Sequence, residues 1–288
     1  MDSKDWEIIK ILSEEKNITN ASKRLYISQP AITYRLKTLE KEFNTKLFIR
    51  TAKGILFTHQ GEQLLKYANK MIYETAKITE HILNSSDGVH GLLRLGVSST
   101  FAHYVLPKFL KNFTKYYPDV GISLKTGLSY QVVKMLQQEE ISIAIIRGEH
   151  LWREKHFLLS EEPISLVSLL PVALEELPYH PRIDFNTDYT LRNLVEDWWH
   201  EKFHFPPMSN ISVDNISTCR QLVLHNLGWA IFPAIGLKEN DNLFRQNLFF
   251  KNGKPLTRPT WLLCRNAALD LAVVRTFVEY AQQFEKRA

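Results

Sequence analysis

The chain has 288 residues, 44% of them hydrophobic and 23% charged, which is room for two or three compact units and too much core-forming material for a largely disordered protein. A net charge of +5 permits a nucleic-acid partner without requiring one. Cys219 and Cys264 stand 45 residues apart and match no metal or redox spacing, no run of about 18 apolar residues could span a bilayer, and Met1-Asp2-Ser3-Lys4-Asp5 opens no apolar signal region. The expectation is a cytoplasmic protein with two small apolar cysteines, no cofactor and no membrane partner.

Trp6, Ile9 and Leu12 recur at helical spacing and predict a first helix over residues 6–12. A second helix is expected to start near Thr19 or Asn20, with Ala21 and Leu25 inward. Ser28 then reads as the cap of a third helix. Pro30 is tolerated in its first turn, where the missing N–H would be unpaired anyway. Ile32, Leu36, Leu39 and Phe43 form one apolar stripe, and Asn44 suits the left-handed end of that helix. Two short extended runs, 46–49 and 54–57, flank Arg50-Thr51-Ala52-Lys53 and predict a hairpin, or wing.

Thr58 caps a long predicted helix reaching about Leu83, with Leu64, Leu65, Ala68, Met71, Ile72, Thr75, Ile78 and Ile82 three or four apart. Such a helix extends about 39 Å, too far for a 57-residue head to cover, so a partner helix in a dimer is expected. Residues 84–88, Asn-Ser-Ser-Asp-Gly, break the period and read as a hinge.

Strands and helices alternate beyond it. Strands are expected at 92–97, 120–124, 141–146, 164–170, 211–213, 230–232 and 260–264, and helices at 101–117, 130–138, 190–203, 218–227 and 269–284. That order implies a mostly parallel sheet with helices on both faces, folded as two α/β lobes with a cleft between them.

Charge is distributed unevenly. Lys16 to Lys53 holds nine Lys or Arg against Glu40 and Glu42, whereas residues 91–288 hold 22 basic and 20 acidic residues. The excess sits on the predicted helix-turn-helix, as a phosphate footprint requires. On the second helix of that pair, Ser28, Gln29, Ala31, Thr33, Tyr34 and Arg35 lie outside the apolar stripe. Gln29 suits adenine and Arg35 suits guanine or a phosphate. Arg50 and Lys53 would reach phosphates or the minor groove, while Lys23 and Arg24 would hold the backbone.

Ala21-Ser22-Lys23-Arg24-Leu25, Ser28-Gln29-Pro30-Ala31-Ile32-Thr33, Leu39-Glu40, Leu47-Phe48-Ile49-Arg50 and Thr58-His59-Gln60-Gly61 together resemble the LysR-type transcriptional regulators. The resemblance is specific across about residues 6–65, and the order of elements fits to the C-terminus. It implies an α/β protein with an N-terminal all-α winged helix-turn-helix (1–58), a long linker helix (59–87) and a two-lobed effector domain like periplasmic binding proteins (88–288). Lobe 1 would hold about 91–161 and 262–288, and lobe 2 about 162–261. The partners it implies are double-stranded DNA at an interrupted inverted repeat, a small-molecule effector, further copies in a homodimer or homotetramer, and RNA polymerase.

By that resemblance the cleft is walled by Ser98, Ser99, Thr100 and Phe101 after the first strand, Gly127 and Ser129 after the second, and Arg147 and Gly148 after the third. Asn215, Ser217 and Thr218 before a helix and Phe232 at a strand end complete it. Hydroxyls with Arg147 nearby would suit a small carboxylate, although Arg147 could equally pair with an acidic neighbour. Ser142 stands where the family often carries Asp.

His200-Glu201-Lys202-Phe203-His204 satisfies H-E-x-x-H, the pattern of a zinc peptidase with two His on one helical face. Pro206-Pro207 would end that helix at once, and no third-ligand helix follows, so catalysis is not expected and no metal ligands are assigned. A plain solute-binding protein, the other alternative, leaves the basic head unexplained.

Overall fold

The computed structural model describes residues 1–51, 54–83, 89–238 and 241–284. The chain forms two compact units, residues 1–91 with 137–140, and residues 92–136 with 141–288. Among the described residues no helix is long and apolar enough to cross a membrane.

The first unit opens with α1 (Ser3–Glu15), longer than its apolar spacing alone indicates. Asp2 and Asp5 cap it reciprocally, each carboxylate accepting from the other's backbone N–H at 2.9 and 3.1 Å. Asn17, not Thr19 or Asn20, caps α2 (Ile18–Leu25), because its Oδ1 accepts from both of those amides. Tyr26, at φ 56°, makes the left-handed turn into α3 (Gln29–Glu42), which Ser28 caps with Pro30 in the first turn. Asn44 is left-handed as expected, at φ 47°. Ile32, Leu36 and Leu39 are buried against Ile8, Ile9 and Leu12, whereas Phe43 remains 46% exposed at the helix end.

The wing pairs β1 (Phe48–Thr51) antiparallel with β2 (Gly54–Phe57). Its tip at 52–53 and the hinge expected at 84–88 lie outside the described residues. In α4 (His59–Leu83), Thr58 caps by accepting from the Gly61 amide at 3.1 Å. A Cβ on Gly61 would stand 2.1 Å from the Leu47 carbonyl oxygen, so only glycine permits this close approach. Ala68, Leu64 and Leu65 pack into the head core, and Trp6 meets Tyr67 edge-on at 5.5 Å. Ile78, further along, is 61% exposed.

The second unit is built on one large sheet. In chain order its elements are β3 (Gly91–Ser98), α5 (Ser99–Tyr104), α6 (Leu106–Tyr116), β4 (Val120–Gly127), α7 (Ser129–Gln137), β5 (Ile143–Arg147) and β6 (Lys155–Ser168). The single helix expected at 101–117 is thus two, parted at Val105 with Pro107 in the first turn of the second. Then follow β7 (Arg182–Phe185), α8 (Tyr189–Lys202), β8 (Ser209–Val213), α9 (Ile216–Leu224), β9 (Ala230–Pro233), β10 (Phe244–Asn247), β11 (Thr257–Cys264) and α10 (Ala272–Phe284). β7 and β10 lie in stretches without a clear apolar run, which the sequence pattern does not mark as strands.

Sheet order is β10-β6-β11-β5-β3-β4, with β9 also on β6. β3 and β5 run parallel, but β11 runs antiparallel to both β5 and β6, and β6 antiparallel to β9 and β10, so the sheet is mixed and not mostly parallel as expected. β6 is the long crossover: residues 155–163 pair with β11, and 164–168 pair with β9 and β10. Two lobes result. Lobe 1 packs Val132, Leu136 and Ile141 beneath the first strands. Lobe 2 packs Trp198, Trp199 and Trp229 on one face and Ile216, Cys219 and Phe232 on the other. Burial pushes the thiol of Cys219 up to about 12 and that of Cys264 up to about 11, so both remain unreactive apolar side chains.

Candidate nucleic-acid interface and effector cleft

Caps and stripe fix how α3 presents itself. With Ile32, Leu36 and Leu39 inward, Gln29, Pro30, Ala31 and Tyr34 are exposed, Tyr34 at 71%, and Thr33 is half-buried. Gln29 lies 3.5 Å from the Thr19 hydroxyl, and Arg50 of the wing donates to Thr33 Oγ1 at 3.4 Å, tying wing to helix. Lys23 is exposed on α2, and Lys53 lies outside the described residues.

Two of the expected cations are engaged within the head. Arg35 binds Asp2 at 2.9 Å and Asp5 at 3.5 Å, and Arg24 binds Glu14 at 2.7 Å and Glu15 at 2.9 Å. The buried Asp5 carboxylate is held by that guanidinium and by the Asp2 amide, which donates at 2.9 Å. The Asp5 amide holds the Asp2 carboxyl below its usual range against an opposing desolvation, and Arg35 adds to the lowering. Sequence spacing does not reveal these pairs, because they join residues up to 33 apart. Tyr26, 95% exposed at the turn, and Lys37, exposed on α3, also belong to this face.

In the second unit the carboxyl ends of β3, β4 and β5 and the loops before α8 and α9 enclose a cavity of about 560 Å³. Ser98, Ser99, Thr100, Gly127, Ser129, Arg147, Asn215 and Ser217 line it, as expected. Phe101, Gly148, Thr218 and Phe232 do not. Phe101 and Phe232 turn into the core at 3% and 0% exposure. Thr218 gives its amide to the capping Asn215 Oδ1. Gly148 has φ +89°, and a Cβ there would meet Thr190 Oγ1 at 2.3 Å, so it serves the bend after β5.

Several hydroxyls are already engaged inside the protein. Ser129 Oγ donates to the Arg147 carbonyl at 3.0 Å and accepts from the Arg147 amide at 3.1 Å, pinning the end of β5. Ser217 shares a 2.9 Å hydrogen bond with Tyr104 Oη from the facing lobe. Ser98 differs: its Oγ is buried and has no hydrogen-bond partner among the described residues.

Two ion pairs underlie the cavity, and three of their four residues, Arg147, Asp188 and Arg258, line it. Arg147 pairs with Glu162 of β6, the acidic-neighbour outcome. Arg258 of β11 pairs with Asp188, which also caps α8 through the amides of Thr190 and Leu191 at 3.1 and 3.2 Å. Both arginines are about 3% exposed, and neither Nε finds an acceptor among the described residues. Burial first, then the Arg258 charge, depresses the Arg147 pKa to about 9 in spite of Asp188. Burial also lowers that of Arg258, against the pull of Asp188. The two arginines and two carboxylates balance in charge, and the Nε donors are what remain without acceptors among the described residues. Arg258 and Asp188 are absent from the sequence reading. A lone Arg inside an otherwise apolar strand and an Asp just before a helix are the signals that point to them.

The H-E-x-x-H string resolves as packing. α8 ends at Lys202 and Phe203 is extended, so His200 and His204 share no helical face. Glu201 accepts from the Lys251 amide, and Trp199 Nε1 donates to the Phe205 carbonyl at 2.8 Å.

Known proteins resemble this chain in sequence and in fold. Residues 3–62 match the family described as bacterial regulatory helix-turn-helix protein, lysR family, and residues 86–285 match the LysR substrate binding domain. YraN of Bacillus subtilis strain 168, named an uncharacterized HTH-type transcriptional regulator, is 42% identical over 280 residues, 97% of either chain. YkuM of the same organism is 36% identical over 281 residues, 97% of this chain and 96% of that one. In fold, the chain is similar to a full-length OxyR variant from Pseudomonas aeruginosa (TM-score 0.73, 16% identity, covering 98% of this chain and 95% of that one). It is likewise similar to full-length CbnR in complex with its target DNA (TM-score 0.65, 17% identity, covering 98% and 99%). A winged helix-turn-helix joined to a two-lobed effector-binding domain, with sequence matches along both, leaves one assignment: the chain belongs to the LysR family of non-enzymatic, DNA-binding transcriptional regulators.

Proposed function

We propose that this regulator responds to a small carboxylate held in the cleft by Arg147, Arg258 and Ser98. The observation that carries the reading is the set of buried donors lacking acceptors, Arg147 Nε, Arg258 Nε and Ser98 Oγ, on residues that line one cavity. Buried donors without partners cost about 1–3 kcal/mol each, and an anionic ligand would recover that cost. Ser99, Thr100, Gly127 and Asn215 would complete the wall.

On DNA, Gln29, Ala31, Thr33 and Tyr34 would meet base edges, with Pro30 and Ser28 setting the start of α3. Lys23, Arg50 and Lys53 would hold phosphates, and Arg24 and Arg35 would join them by exchanging their own carboxylates for phosphate. The head (1–58), linker helix (59–87) and effector domain (88–288) would act as the functional segments, in the cytoplasm. The stripe of α4 running past the head core to the exposed Ile78 supports a dimer through that helix. A dimer, or dimer of dimers, suits an interrupted inverted repeat and contact with RNA polymerase.

A thermal-shift series of small mono- and dicarboxylates against the full chain tests the reading. A binding acid at 100 times its dissociation constant should add about 2.7 kcal/mol of stability, and Ser98→Ala should weaken it. Shifts as large in Ser98→Ala and in Arg147→Gln as in the parent would remove the carboxylate from the cleft.

A further inference from the structure

Lobe 2 holds a second cavity, of about 630 Å³, between α8 and the strands β7 and β8. Its size falls within the range of ligand pockets, about 300–1,000 Å³. Helix α8 presents two adjoining stripes to it. Leu191, Val195 and Trp199, four residues apart, form an apolar floor, and Arg192, Glu196 and His200, also four apart, form a charged rim. From 192 to 200 the rim extends about 12 Å at 1.5 Å per residue. Pro206 and Pro207 also line the cavity, as does Asp214 directly after β8.

The charges sort into used and unused. Arg182 and Asp184 neutralise each other at 2.6 Å, Ser209 donates to Asp184 at 2.5 Å, and the Arg182 guanidinium lies 5.9 Å over the Trp229 ring. Arg192, Glu196 and Asp214 line the cavity and make no ion pair among the described residues. One guanidinium therefore faces two carboxylates around an apolar floor. A simple anion would meet both carboxylates, and a simple cation would meet Arg192. A molecule carrying ammonium and carboxylate on one carbon, with an apolar side chain, satisfies all three.

We infer that this cavity is a second ligand site, for a free α-amino acid with an apolar or aromatic side chain. Its carboxylate pairs with Arg192, its ammonium lies between Glu196 and Asp214, and its side chain rests on Val195 and Trp199. Phe185, Asn186, Thr187, Leu191 and Asp214 line both this cavity and the effector cleft, so the two sites share a wall. This second site stands independently of the carboxylate reading of the cleft. His200, half of the peptidase-like string, receives a place on its rim.

Calorimetric titration of the full-length protein tests it with L-phenylalanine, L-leucine, 3-phenylpropionate and 2-phenylethylamine. At least one amino acid should bind, with both single-charge analogues of phenylalanine weaker by about tenfold or more. Arg192→Gln and Glu196→Gln, changes at exposed positions that leave the fold intact, should each weaken the amino acid by about tenfold, while Ser98→Ala in the cleft should leave it unchanged. No binding of either amino acid below about 10 mM, parent-like binding by both rim variants, or loss of binding in Ser98→Ala alone would overturn the assignment. A loss in Ser212→Trp, which adds bulk to the cavity lining, would support it independently of charge.

Discussion

The head and the effector domain use the same chemical device, an arginine against a carboxylate, in opposite surroundings. In the head, Arg24 with Glu14 and Glu15 and Arg35 with Asp2 lie at the surface, the arginine side chains 48% and 39% exposed, and only Asp5, the second partner of Arg35, is buried. In the effector domain, Arg147 with Glu162 and Arg258 with Asp188 are sealed in, at 4% and 3%. Water and salt screen the first set, which is therefore weak and exchangeable for phosphate. The second set has lost its hydration, so each member depends on its partner. Location, rather than residue type, separates a surface that trades partners from an interior that cannot.

Breaking the buried set should have the largest effect. Arg258→Ala leaves Asp188 buried without its cation and is expected to cost about 3–5 kcal/mol, read from urea denaturation of the full chain. A cost below about 1 kcal/mol would mean that water reaches the two pairs and the contrast is false. Replacing the pair together, Arg258→Met with Asp188→Leu, should restore most of that loss, because matched apolar groups need no partner. The double variant should still bind no carboxylate.

An intermediate case lies in the head at Glu40, whose carboxylate accepts from the amides of Leu47 and Phe48 at 3.1 and 3.3 Å and from Lys46 at 3.1 Å. Burial pushes its pKa up, but Lys46 and the two amides outweigh this and hold it below its ordinary value of 4.5. Its contribution is therefore present in full above pH 4.5 and is lost as the pH falls through the lowered folded-state value. Relative to Glu40→Gln, the parent should be more stable by about 1 kcal/mol at neutral pH, with the gap closing in acid melts. A gap that widened in acid would reverse the assigned sign.

Arg24→Ala should change head stability by less than about 1 kcal/mol, and less still at high salt. Its neighbour Lys23, which makes no such pair among the described residues, should show its effect on DNA instead. Lys23→Ala is expected to lower the salt slope of binding by about 1 if that ammonium neutralises one phosphate. Should Arg24→Ala lower the slope equally, the surface pairs give way to phosphate on binding, as proposed.

Periodicity and caps make most of the fold legible. The stripe Ile32/Leu36/Leu39, the Ser28 cap and the left-handed Asn44 depend only on neighbours within a few residues, and each stands where the spacing indicates. The break at Val105 and the extra strands β7 and β10 are hidden, because short or interrupted apolar runs carry no distinct period. The cleft is half legible. Ser98 and Arg147 end strands, Ser129 follows one, and all three can be placed by topology. Asp188 and Arg258, 70 residues apart, meet only through the return of β11 beside β6, and nothing local announces their pairing. Phe232 goes to the core rather than the cleft for a related reason: a strand end points one way or the other by the pleat, which the register with β6 decides.

That the exposed face of α3 reads base pairs while surface cations only hold the duplex is tested most directly by fluorescence anisotropy. The full-length protein is titrated with its own promoter fragment and with a shuffled duplex across a range of salt. The parent should prefer the promoter at every ionic strength. Replacing Gln29, Thr33 and Tyr34 together by Ala should abolish the preference while leaving the salt slope intact. A triple variant that still tells promoter from shuffled DNA would contradict the account.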